Sequence, residues 1–153
     1  MSAVRFQDQL GDALHREAAG QFVYKPPDGI RANWRPADWL LCLAGRFLAI
    51  EAKQTRENAW PFRDWPPQQR GMCELVERSG GAYWVVINWR GPSGTKSPDT
   101  VTYAFKGSAL LLAERVGGRK SVTPEMARQL GVLPVCWVPG KGWDVGPLLE
   151  RYR

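Results

Sequence analysis

Pro36-Ala-Asp-Trp-Leu-Leu-Cys-Leu-Ala-Gly-Arg-Phe-Leu-Ala-Ile-Glu-Ala-Lys53 is the stretch whose reading decides the fold of this chain. It reads as two short apolar strands joined at Ala44-Gly45. A two-residue loop there pairs Leu43 with Arg46, and the same register sets Asp38 opposite Glu51. Side chains alternate across a strand, so Phe47, Ala49, Glu51 and Lys53 share one face. Asp38 joins them from the neighbouring strand, with Cβ atoms about 5 Å apart.

Two carboxylates opposite each other on one sheet face repel, and burial worsens the repulsion. A hard divalent cation relieves it. Mg²⁺ takes oxygen ligands and commonly uses one or two carboxylates together with substrate phosphate and water; Mn²⁺ is expected to substitute. Lys53 points at the same spot, where it can steady a phosphate oxygen or orient an attacking water. Metal-assisted phosphodiester hydrolysis needs these parts. The alternative is a surface hairpin whose Asp-Glu-Lys cluster is fortuitous.

Outward from the hairpin, residues 4 to about 19 read as an amphipathic helix. Phe6, Leu10, Ala13 and Leu14 lie on one side, Glu17 falls among them, Gln7 sits at the edge, and Asp8 and Asp12 face solvent. Gln21 to Lys25 reads as a short strand. Trp60-Pro61-Phe62 and Trp65-Pro66-Pro67 make an irregular aromatic stretch. A helix is expected from Pro67 to Arg78, ended by Gly80-Gly81, then a buried strand from Tyr83 to Trp89. Val101 to Phe105 is a further strand and Ser108 to Arg115 a helix. Gly117-Gly118-Arg119-Lys120-Ser121 is a basic loop. Thr123-Pro124-Glu125 has the form of a helix start, and Val135 to Val138 with Trp143 to Val145 a last hairpin. This order implies one domain, residues 1–153, of α/β class: a mixed β-sheet flanked by α-helices.

The 153 residues carry 21 Lys and Arg against 15 Asp and Glu, a net +6. That balance suits a polyanionic partner such as nucleic acid, or merely a soluble basic protein. Three scattered cysteines and one histidine give neither a disulfide framework nor a Cys/His metal site. No apolar run is long enough for a membrane span and no leader is visible, so a cytoplasmic location is expected. His15, the sole histidine, lies on a polar helix flank and reads as solvated. Of the eight tryptophans, Trp39, Trp84 and Trp137 sit in apolar strands and read as core. Trp60, Phe62 and Trp65 can pack beneath the hairpin, line a dimer contact or stack on the bases of an opened nucleic acid.

Pro36-Ala37-Asp38 followed by Glu51-Ala52-Lys53 resembles the signature of the PD-(D/E)xK nucleases. Phe47 to Thr55 is similar to a strand of RecU-type Holliday junction resolvases in that superfamily. Trp60-Pro61-Phe62, Gln69, Tyr83 to Ile87, Tyr24-Lys25-Pro26-Pro27 and Gly117-Gly118-Arg119-Lys120-Ser121 match further signatures of that group in order. The resemblance implies a restriction-endonuclease-like fold and a Mg²⁺-dependent, structure-selective endonuclease that resolves four-way DNA junctions as a homodimer by paired nicks. It implies metal ligation by Asp38, Glu51 and the Ala52 carbonyl. Lys53 would act on the phosphate or the water, and Gln69 would position the nucleophile. Such nucleases usually carry an acid on the first helix, and the matching slot here holds Gln7, which can coordinate through its carbonyl without bringing charge. Arg31, Arg35, Arg119 and Lys120 are candidate DNA contacts. A less selective nuclease of the same fold and a non-catalytic DNA-binding accessory are the alternatives. Neither a membrane nor a small-molecule cofactor is implied.

Overall fold

The computed structural model describes residues 5–27, 35–90, 100–130 and 132–153. The hairpin closes as its sequence predicts. Strand β2 (Trp39–Leu43) pairs antiparallel with β3 (Arg46–Thr55), from Leu43 opposite Arg46 to Trp39 opposite Ile50. Ala44 and Gly45 both take left-handed backbone angles, φ 48° and 79°. That is the two-residue turn whose twist matches the flanking strands.

Around this pair stands a six-stranded sheet. Its other strands are β1 (Phe22–Tyr24), β5 (Ala82–Trp89), β6 (Val101–Lys106) and β8 (Leu133–Pro134), in the order β1-β2-β3-β5-β6-β8. Only β3 and β5 run parallel. A parallel pair needs a crossover, and here it contains the two-residue strand β4 (Trp60–Pro61) and helix α2 (Pro67–Arg78). All eight residues of β5 are buried, as expected of a central strand covered on both faces. Strand β4 pairs not with the main sheet but with β7 (Ser121–Val122).

Each face has its own core. On one, helix α1 (Phe6–Glu17) sets Phe6, Leu10 and Leu14 against Leu41, Leu48, Ile50, Trp84 and Val86. Helix α5 (Gly146–Leu149) and the ribbon of β9 (Cys136–Val138) and β10 (Gly142–Asp144) pack on the same side. On the other face, Cys73 and Val76 of α2 and Leu110 and Leu111 of helix α3 (Gly107–Arg115) cover Ala49, Tyr83, Val85 and Phe105. Trp60, Phe62 and Trp65 belong to this second core, each at most 2% exposed. Of the three roles open to them, packing beneath the hairpin is the one observed.

Two expectations need correction. Trp137 is not core but 46% exposed. Its ribbon has only two strands, so the ring covers the edge of Trp143 (centroids 5.2 Å apart) with one side and meets solvent with the other. Thr123 precedes helix α4 (Pro124–Gln129) in extended conformation, with Pro124 in the first turn, but its hydroxyl makes no capping bond. The short strand β8 was not read from sequence; with two residues and one proline it has almost no periodic signal.

The sheet end matters most for function. Strand β2 begins only at Trp39, and the Pro36 carbonyl just before it is held by the Tyr83 hydroxyl, which donates to it at 3.0 Å. β3 runs on beside β5 to Thr55, so beyond Ile50 one of its edges has no strand partner. Asp38 and Glu51 lie there. Helix α1 is pinned to the same corner: the Trp39 indole N–H donates to the Gln7 carbonyl at 3.2 Å. Gly11 makes this approach possible, because a Cβ there would sit 1.9 Å from the Trp39 ring. Replacing Gly11 by Ala improves helix propensity by about 1 kcal/mol, but the overlap costs more, about 1–3 kcal/mol in a packed core. Gly11→Ala is therefore expected to lower the thermal unfolding midpoint by several degrees; a midpoint that stays or rises would show that the contact is slack.

Candidate active site

The two carboxylates are buried, Asp38 5% and Glu51 4% exposed, and each is bound by the main chain beside the other. The Asp38 N–H donates to Glu51 Oε2 at 3.1 Å, and the Ala52 N–H donates to Asp38 Oδ2 at 2.8 Å. This cross-bonding follows from the hairpin register and the early end of β2. A strand residue turns its N–H and C=O to the same side, so the Ala52 carbonyl faces the Asp38 edge as well.

Cations and amides complete the surround. Arg35 pairs with Asp38 Oδ1 at 2.9 Å. Lys53, two residues beyond Glu51 on the same face, reaches Glu51 Oε1 at 3.2 Å. Gln69, in the first turn of α2, donates its amide to the same oxygen at 3.0 Å. Gln7 enters from α1. With its amide nitrogen toward the carboxylate and its oxygen toward the guanidinium, it donates to Asp38 Oδ1 at 3.3 Å and accepts from Arg35 at 3.0 Å. Asp38, Glu51, Lys53, Gln69, Gln7 and the Ala52 main chain are thus brought together.

Other predicted residues lie away from the site or are already engaged within it. Arg31 lies outside the described residues. Arg35 is committed to Asp38. Arg119 and Lys120 are exposed on the loop before β7 and make no ion pair among the described residues. Asp8 is taken by Lys25 at 3.1 Å. Glu17, about 15 Å along α1 from Gln7, pairs with Lys141 at 2.9 Å and Arg16 at 3.5 Å. The Lys141 bond leads in holding its carboxyl below the ordinary range. His15 is exposed and touches only the edge of Trp39 among ring contacts.

Sequence reasoning missed Arg70. Its guanidinium donates to the Trp65 carbonyl at 2.8 Å and to the Phe62 carbonyl, and it pairs with Glu114. It thereby fixes the aromatic stretch and the start of α2, from which Gln69 projects. Two partners are main-chain carbonyls five and eight residues back and the third lies 44 residues on, so no periodic pattern flags it.

Burial and mutual repulsion dominate the electrostatics. Burial raises the pKa of Asp38 above its ordinary value. Glu51 is raised further, to about 7, by burial first and the Asp38 charge second. The donor set suits a hard divalent cation: two carboxylates and a strand carbonyl, with no sulfur or imidazole. Among the described residues no group of three or more His, Cys, Asp or Glu is poised as a metal cluster, so a further ligand would be a neutral oxygen such as the Ala52 carbonyl. Gln69 Oε1 is buried with no hydrogen-bond donor, while the Gln69 amide nitrogen is the group that turns to Glu51.

No family model matches the chain, and no curated protein matches it in sequence. Among solved structures it is similar to Hjc of Archaeoglobus fulgidus, a Holliday junction resolvase from an archaeal hyperthermophile. The TM-score is 0.56 at 15% identity, over 83% of this chain and 93% of Hjc. At that identity the likeness is one of fold: the mixed sheet flanked by helices is the Hjc architecture.

The raised pKa of Glu51 has a consequence for stability. From its ordinary 4.5 up to about 7, the folded protein holds a proton there that the unfolded chain has released. Stability therefore falls as pH rises through that window, and levels off above it. In thermal melts without divalent cation, the wild-type midpoint should drop relative to Glu51→Gln between roughly pH 5 and pH 7.5. A constant difference between the two proteins across that range would contradict the assignment.

Proposed function

We propose that this protein is a metal-dependent, structure-selective DNA endonuclease that resolves four-way junctions by paired symmetric nicks. The observation that carries the reading is the buried Asp38–Glu51 pair, cross-bonded at a sheet end with Lys53 and Gln69, on a fold shared with a Holliday junction resolvase. A structural protein has little use for two buried, mutually repelling carboxylates.

In this reading Asp38, Glu51 and the Ala52 carbonyl hold Mg²⁺ or Mn²⁺, with Gln7 as a neutral contact from α1. When bound, the cation supplies charge stabilisation to the phosphate and acidifies a water. Lys53 is held within reach of the same point and faces the phosphate oxygens once Glu51 turns to a cation. Gln69 binds Glu51 through its amide and leaves its buried oxygen to accept a hydrogen bond from the attacking water. Hydrolysis then leaves a 5′-phosphate and a 3′-hydroxyl. Gln7, standing where an acid is usual, favours a second reading, a DNA-binding accessory without turnover. The RecU-like signatures support the finer assignment to that branch of resolvases.

A junction has near two-fold symmetry and must be cut at two matching places, which a C2 homodimer with one site per subunit satisfies. An apolar surface is available for it. Phe22 and Tyr24 stack on the edge strand β1, and the register runs from Phe22 through Cys42 to Phe47 across three strands. Phe22, Tyr24 and Phe47 are 57%, 45% and 40% exposed.

Purified protein with Mg²⁺ and a four-way junction should give paired symmetric nicks. Asp38→Asn and Glu51→Gln should each abolish them while junction binding survives. Cleavage untouched by both substitutions overturns the site, and equal rates on junction, flap and linear duplex overturn the selectivity. In light scattering, Phe22→Glu with Phe47→Glu should convert a dimer to a folded monomer; a dimer that persists places the interface elsewhere.

A further inference from the structure

On the α2–α3 side of the molecule an open cleft of about 560 Å³ is lined by Arg63, Arg70, Glu114, Arg119 and Lys120, with Pro61, Phe62 and Ser121 between them. Four cations face one carboxylate, and one cation is already spent. Arg70 donates to the carbonyls of Trp65 and Phe62, pairs with Glu114, and lies over the Trp65 ring at 5.5 Å. It is the floor of the cleft. Arg63, Arg119 and Lys120 are exposed and make no ion pair among the described residues.

These three cations come from two segments far apart in sequence but fastened to each other. Trp60–Pro61 pairs with Ser121–Val122. The Phe62 N–H donates to the Lys120 carbonyl at 3.0 Å, and the Arg119 N–H donates to the Ala113 carbonyl at 3.2 Å. Phe62, next to Arg63, is buried to 1%. The side chains therefore project from an anchored backbone, and three exposed cations line one cleft. Such a surface suits an anionic partner. Arg70, which lines the cleft, directly follows Gln69 of the candidate site on α2.

We propose that this cleft is a second phosphate clamp, in which Arg63, Arg119 and Lys120 hold the sugar–phosphate backbone of the DNA strand away from the phosphate at Asp38 and Glu51. Arg63 is the contact that neither the hairpin nor the sequence signatures point to. The proposal rests on DNA being the substrate, but not on turnover. Contacts of this type position the duplex and carry no sequence information. Arg70 and Glu114 act as positioning residues that keep the two segments in register.

The test is binding without cleavage, with a four-way junction and a linear duplex as probes in Ca²⁺ or EDTA, across a salt series. Arg63→Ala with Lys120→Ala should weaken binding to both probes alike and lower the slope of log affinity against log salt by about two. Arg63→Lys with Lys120→Arg should restore the slope, which separates lost charge from damaged folding. Arg46→Ala, an exposed cation at the hairpin tip, should leave it unchanged. An unchanged slope in the double alanine variant overturns the clamp, as does an equal loss in Arg46→Ala. Binding that depends on Arg63 and Lys120 in a protein that never nicks DNA upholds the clamp and overturns the nuclease reading. Nicking with an unchanged slope does the reverse.

Discussion

Two carboxylates brought together at a buried sheet end remain tolerable only if donors or cations surround them, and much of this structure is arranged around that requirement. Asp38 and Glu51 take main-chain N–H groups from Ala52 and Asp38, cations from Arg35 and Lys53, and amides from Gln7 and Gln69. Each donor comes from a different packing decision. β2 begins only at Trp39, which leaves the edge of β3 open beyond Ile50. Trp39, fitted over Gly11, pins the first turn of α1. Arg70 braces the aromatic stretch that launches α2. Even so, both carboxylates stay above their ordinary pKa. The donors compensate the pair only in part.

Much of this was legible in the sequence because it depends on local periodicity. The Ala44-Gly45 turn sets the register, and the register alone brings Asp38 to Glu51. The bounds of α2 follow from Pro67 at one end and Gly80-Gly81 at the other. The unbroken apolar run of β5 marks a strand covered on both faces. Gln69 is different: helix periodicity places it on an α2 face, but only a resemblance among signatures marks it as functional.

What was not legible depends on side-chain contacts that no periodic pattern encodes. Arg70 looks like any polar helix residue until Phe62, Trp65 and Glu114 close around it. Arg35 reads as a free cation for DNA, yet it lies three residues from a buried carboxylate and pairs with it. Trp137 has the alternation of a core strand, but its ribbon lacks the third strand that would bury it. Whether a residue in an apolar strand is covered depends on elements elsewhere that local patterning does not encode.

The fold alone leaves chemistry open, since one scaffold hosts many activities. Function therefore rests on the site, where Asp38 and Glu51 are proposed to hold a divalent cation. Calorimetric titration of Mn²⁺ into the protein without DNA tests this most directly. Saturable binding by the wild type is predicted, lost or at least about tenfold weaker in Asp38→Asn and in Glu51→Gln. Equal Mn²⁺ binding by all three proteins would contradict it.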